Sequence, residues 1–497
     1  MTDSFLKKIL CEGLYNCIQL NLRFQTANDS QNGQECNIPL DSSSTITILK
    51  SCTYYSYDLQ IQGKSLNITN GAILTVETNA HINLNGKMNI NASSTVLIGL
   101  TLFLNFNSEL LLIENSRVET SKSTFLYGNS STKCLSTSQF ISKGNIIISE
   151  NATLNMKDMS ILNSSSFVEF KDNSKITFEG SSKSTSLNNT NIYDNSLLNM
   201  TDVSSLVSAL SVDFFGYSQT YLGGQSHVET SDNMNIHEYA TLSLSAFSKL
   251  NTSKNIEIFK NSKLTIQDGG KAVSGNDMNI YGNATVTLRG SSFLLSSSKL
   301  FVYGNASVTF EDESNAISLN NMFFQGKSEF IMKDFSTLVS SSQINFIENA
   351  TVSLYGHSKV VADGNINMYN DVYFNMYDYS EMSGKSQMSI GGNTIRVVMS
   401  DHSVIKVRDN TLSLMKYLDM KDTSEVNVNV FTFTSNGVLN MSGTNTNLNV
   451  PKIIANQFQC DSGEIRISVD TLIRVNDALQ LDGCKLLVAE RSIRDFP

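Results

Sequence analysis

A serine that returns every 22 residues constrains this chain more than any other feature. Counting from Asn85 in steps of 22, the tenth residue of successive blocks is Ser94, Ser116, Ser138, Ser160, Ser182, Ser204, Ser226, Ser248, Gly270, Ser292, Ser314, Ser336, Ser358, Ser380, His402 and Ser424. Fourteen of these sixteen positions are serine, although serine supplies only 71 of 497 residues, so composition does not produce the pattern. A fixed period in the range of about 20 to 50 residues marks stacked supersecondary units, each of which buries its apolar face against its neighbours. The unbroken period predicts one elongated domain rather than the several globular domains that the length alone would allow.

Other columns move in step with the serine. The sixth residue of each block is apolar throughout, as in Ile90, Met156, Phe178, Leu288, Phe310 and Met376, and the residue two before it is usually apolar too. A step of two places both side chains on one face of a strand. A second apolar column follows the serine (Val118, Phe140, Leu162, Leu250, Leu338), and a third alternating pair closes the block (Ile146/Ile148, Val168/Phe170, Met278/Ile280). Each block therefore reads as three short strands separated by polar turns, with no helical period. Such a coil resembles the right-handed parallel β-helix, the pectate-lyase-like and adhesin-like solenoid. The expected fold is an all-β solenoid of about 16–19 coils, its hand implied by the resemblance. Sixteen coils at ~4.8 Å give a rod of about 77 Å.

The turns carry their own chemistry. Two residues past the apolar column stands Asp or Gly (Asp158, Gly180, Asp202, Gly224, Asp312, Asp334, Gly356, Asp378). Asp accepts bonds from nearby amides, and Gly enters the left-handed region without strain. Asparagine opens most blocks, and Asn283, Asn305 and Asn349 are expected to bond amide to amide along the axis. With Ser292, Ser314, Ser336 and Ser358 they are read as structural ladders.

The ends differ from the middle. Residues 1–52 form a cysteine-bearing cap, 53–436 the regular repeat and 437–497 less regular terminal coils. Leu6, Ile9, Leu10, Leu14 and Ile18 recur at helical steps, which predicts a short amphipathic helix over the first coil. Cys11, Cys17, Cys36, Cys52, Cys460 and Cys484 gather at the two ends and are candidates for disulfides, which places the chain in an oxidising, extracellular or cell-surface compartment. Cys134 occupies a core column and is expected to be a buried thiol. No leader with an apolar core of proper length follows Lys7-Lys8, and no apolar run is long enough for a transmembrane helix. Glycosylation sequons such as Asn151-Ala-Thr occur only as often as the Asn, Ser and Thr content produces, so they carry no information. A formal charge of −10 excludes nucleic acid as the natural partner.

The resemblance implies that any chemistry would sit on a groove formed by carboxylates of adjacent coils, with a basic residue or a divalent cation nearby. Asp312 and Asp334 occupy one column in successive coils, and His357 lies one coil from Asp378, so these four are the candidate catalytic residues. The simpler reading is that turn aspartates repeat because the turn repeats. Among the outward tyrosines Tyr373, Tyr377, Tyr379 and Tyr417, the candidate sugar platforms are Tyr373 and Tyr377 with Tyr417 farther on, although such tyrosines more often serve cross-strand packing. Outward Thr-x-Thr pairs begin at Thr285/Thr287 but fail at Glu329/Ile331, which excludes a flat ice-binding ladder. The favoured function is a non-enzymatic, adhesin-like rod that binds carbohydrate or protein through a long polar face, without a cofactor. A polysaccharide lyase or hydrolase is the alternative, and a spacer without a ligand the third reading.

Overall fold

The structure, a computed structural model, describes residues 24–26, 34–36, 45–55, 58–391, 396–414, 417–433, 437–442, 452–460, 463–468, 472–481 and 484–489. It is an all-β parallel solenoid of about 18 turns, with about 22 residues and three strands in each regular coil. One coil shows the plan: Thr285–Leu288 in the first strand column, Phe293–Ser296 in the second and Leu300–Gly304 in the third. The next coil repeats it one rung up, pairing Thr285 with Ser307, Phe293 with Asn315 and Leu300 with Met322 in parallel register. Alternate residues point inward, so Val286, Leu288, Leu294, Leu300 and Val302 are buried to within 1%. A strand face this regular needs no helix, and none occurs among the described residues.

Each coil bends at three corners, and a small residue lines each one. The serine of the 22-residue column sits at the first corner, fully buried, as the last residue of a turn closed by its own amide (Ser314 N to Glu311 O, 3.3 Å). The second corner holds another buried Ser/Thr column. There Ser296 Oγ lies 2.8 Å from the carbonyl of Asn276 one coil below and 2.8 Å from that of Lys299. Ser164, Ser274 and Ser340 repeat that arrangement. The third corner holds either Ser or Ala (Ser130, Ala152, Ser174, Ser196, Ser218, Ala240), again buried. A larger side chain at these inward bends would force neighbouring coils apart.

The Asp/Gly column falls in the left-handed region throughout, for example Asp158 at φ 59°, Gly180 at 66°, Asp312 at 60° and Asp334 at 57°. Most of these aspartate carboxylates reach down one coil to accept the amide below: Ser136 N–H donates to Asp158 (3.0 Å) and Gly180 N–H to Asp202 (2.9 Å). At Gly180 an added Cβ would meet Asp158 Cα at 2.9 Å, so glycine follows aspartate for space as well as for φ. The asparagine ladder is equally direct, with Asn305 Nδ2 donating to Asn283 and Asn283 Nδ2 to Asn261, both at 3.0 Å.

Both ends depart from the plan. Phe24–Thr26 pairs antiparallel with Gln34–Cys36 and with Cys52–Tyr54, a hairpin laid along the first edge of the second column. From Val404–Leu414 onward the second and third columns join into single long strands, followed by Glu425–Phe433, Lys452–Cys460 and Leu472–Gln480. Across Glu425–Phe433 no Gly, Pro or Ser breaks the run of β-formers, and the inward side shifts where the corner would be, from Val428 to Phe431. The predicted helix at 6–18 lies outside the described residues, with Cys11 and Cys17. Cys52 is buried, no disulfide forms among the described side chains, and Cys36, Cys460 and Cys484 are placed in strands as backbone.

Candidate binding groove

The aspartates singled out in the sequence are occupied by the fold. Asp312 accepts the Gly290 amide at 2.9 Å, and Asp334 accepts the Asp312 amide at 3.3 Å. The basic groups nearby are committed as well: Arg289 and Lys333 both pair with Glu311, at 2.7 and 2.9 Å. Those contacts, the Lys333 bond first, hold the Glu311 carboxyl below its usual range. Asp378 accepts the Gly356 amide at 2.9 Å and makes no bond to His357, whose ring stacks between Phe335 (4.9 Å) and Tyr379 (4.8 Å). Among the described residues no group of three His, Cys, Asp or Glu could hold a metal ion.

The outward aromatic rings form stacks along the axis. Tyr193, Phe215, His237, Phe259, Tyr281 and Tyr303 follow one another in six successive coils, most of them nearly parallel at 4.5–5.1 Å. Burial against the flanking phenylalanines pushes the His237 imidazole below its usual pKa. Tyr377 lies on Tyr355 at 5.0 Å, and Tyr379 lies between His357 and His402. Where consecutive rings lie parallel their facing sides cover each other and only edges face solvent, whereas His237 and Phe259 meet edge to face. Sugar stacking, which needs an open face, is unavailable along the parallel runs.

The open site lies where the serine column lapses. At Ser245–Ser248 both central residues, Ala246 and Phe247, adopt positive φ (51° and 69°), the arrangement of a type I′ turn. Phenylalanine is a costly occupant of that region. Its ring is 64% exposed and lies over Gly269, where a Cβ would come within 2.8 Å of Cδ1. Gly270, which replaces the column serine, is equally tight, because a Cβ there would meet Ile266 Cγ2 at 3.0 Å. At the same turn position an amide bonds the carbonyl below in some coils, as Gln225 N–H does to Asp202 and Phe335 N–H to Asp312; among the described residues no such rung forms at Phe247, nor at Ser181, Ser291 or His357.

Beside this turn lies a groove of about 420 Å³ lined by Gln225, His227, Glu229, Phe247, Lys249, Asn251 and Lys271. The second strand column positions these groups, because alternate residues face outward and register aligns His227 with Lys249 and Lys249 with Lys271. Glu229 and Asn251 align one step further along the strands. The result is a pair of ammonium groups flanked by a carboxylate, two amides and one apolar ring. Sequence columns did not point to these residues. The legible signal was the Gly269-Gly270 pair interrupting the serine column. Comparison of the chain with family models, with curated proteins and with solved structures finds no match.

Proposed function

We propose that this protein is a binding rod of the adhesin type, non-enzymatic, displayed outside the cell and holding carbohydrate in the groove around Phe247. The observation that carries this reading is the groove itself. Beside the strained turn at Phe247 the rod gathers exposed amides, a carboxylate, two lysines and an exposed ring, the mixed polar and apolar lining that suits a hydroxylated ligand. The lyase alternative is weaker because Asp312, Asp334 and Asp378 are bonded to backbone amides and Arg289 and Lys333 to Glu311. Rigid stacking adds a second advantage, since several rods on one surface would combine weak contacts through effective concentration. The extracellular placement rests on the six terminal cysteines and predicts disulfides among them, which mapping of non-reduced peptides by mass spectrometry would detect.

The test is affinity electrophoresis of the intact chain through gels holding different polysaccharides, with product analysis of the same polymers. Retardation without chain cleavage, abolished in Phe247→Ala, is the expected result. Cleavage of any polymer would restore the lyase reading. Equal mobility in every gel would leave a spacer.

A further inference from the structure

We infer that the groove takes an anionic saccharide, its carboxylate or sulfate seated between Lys249 and Lys271. This deepens the carbohydrate reading above and rests on it. The argument begins with register. Lys249 and Lys271 face each other on adjacent parallel strands, and among the described residues theirs is the one strand rung that sets two cations side by side. Like charges directly opposite in a sheet destabilise it. At other rungs a carboxylate can stand within reach of an outward lysine, as Lys87 lies opposite Glu109 (3.0 Å) and Lys406 pairs with Glu381 (3.0 Å).

Among the described residues Lys249 has no ion pair, and Lys271 has only the Phe293 ring at 6.0 Å. Lysines of the same coils with other orientations do find acids, Lys254 with Asp232 at 3.0 Å and Lys260 with Glu238 at 3.2 Å. The unneutralised pair thus sits only where the groove opens. An oxyanion bridging two ammonium groups forms charge-assisted hydrogen bonds to both and relieves their repulsion. Asn251, Gln225 and Glu229 surround that position with groups that bond hydroxyls, and Phe247 closes one side. Uronic acids and sulfated sugars both present this chemistry. A net charge of −10 opposes indiscriminate adhesion to polyanions, so binding must come from the local pair.

The experiment compares polymers that differ only in charge: polygalacturonate against its methyl ester, and dextran sulfate against dextran. Binding of the full-length protein is measured at low and high salt. Retention by a charged polymer, weakened by salt and reduced roughly tenfold or more in Lys249→Gln/Lys271→Gln, is expected. Lys263→Gln, an exposed lysine on the first strand column of the same coil, should leave it unchanged. The polymer retained identifies the oxyanion as carboxylate or sulfate. Equal retention of charged and neutral members, sensitive to Phe247→Ala but not to the lysine pair, would overturn the anionic assignment and leave the carbohydrate reading standing. Loss in Lys263→Gln equal to that in the pair would overturn it as diffuse charge. Failure to retain any polymer would overturn both.

Discussion

At the residue scale serines of the two columns differ in energetics although they look alike in the sequence, the bonded Ser226 and Ser248 of the first column aside. Ser292, Ser314, Ser336 and Ser358 bury hydroxyls without a hydrogen-bond partner, whereas Ser296 and Ser340 reach carbonyls of the coil below. Burying an unpaired hydroxyl costs free energy, and a paired one returns about 1 kcal/mol. Ser336→Ala should therefore leave stability unchanged or raise it by up to about 1 kcal/mol, while Ser296→Ala should lower it by about 1–2 kcal/mol. Denaturant titrations of the two variants side by side decide this, and equal losses would remove the distinction. Cys134 is fully buried in the first column and its thiol is pushed up to about 12, so it should resist alkylation at neutral pH until the coils open. Peptide-resolved thiol labelling across a denaturant series would read that opening, and labelling of Cys134 in the native rod would contradict the packing.

At the scale of the coil, stability is a sum over rungs, so damage should be local. Leu288 is buried between Ile266 below and Phe310 above. Leu288→Asp places an unpaired charge in that stack and should cost more than about 4 kcal/mol, opening coils around 263–332 to protease. Uncut central coils in that variant would disprove the column assignment. The ion-paired corner offers a pH test. Because Glu311 titrates below the usual value near 4.5 in the fold, its contribution is present above that value and is lost as pH falls through the lower folded one. Thermal melts of the wild type and Glu311→Gln should differ by about 0.5–1 kcal/mol near neutrality and converge in acid; a constant gap would show that the Arg289 and Lys333 contacts are not responsible.

For the whole molecule, the exposed ends govern behaviour. The antiparallel hairpin of Phe24–Thr26 and Gln34–Cys36 covers the Cys52–Tyr54 edge, and deleting residues 1–44 should bare it. Light scattering should then report association on the time scale of hours at micromolar concentration, whereas a monodisperse truncated rod would show that the hairpin protects nothing. Period, strand number per coil and the inward columns were legible in the sequence because each is a local consequence of alternation repeated many times over. The turn chemistry was legible for the same reason: Asp and Gly are the residues that tolerate φ near +60°. Which coil an aspartate serves was not legible, since Asp334 acts on the amide of Asp312, 22 residues away. The fate of the aromatic residues was hidden as well, because ring stacking depends on rotamers shared between coils. So was the groove. Periodicity describes what every coil has in common, whereas the groove arises from one strained turn at Phe247, the space left by Gly269 and a register that sets Lys249 beside Lys271. The sequence by itself determined the architecture, through a pattern that any one coil reveals. Only the stacking of coils decided which side chains are spent holding the rod together and which remain open to a ligand.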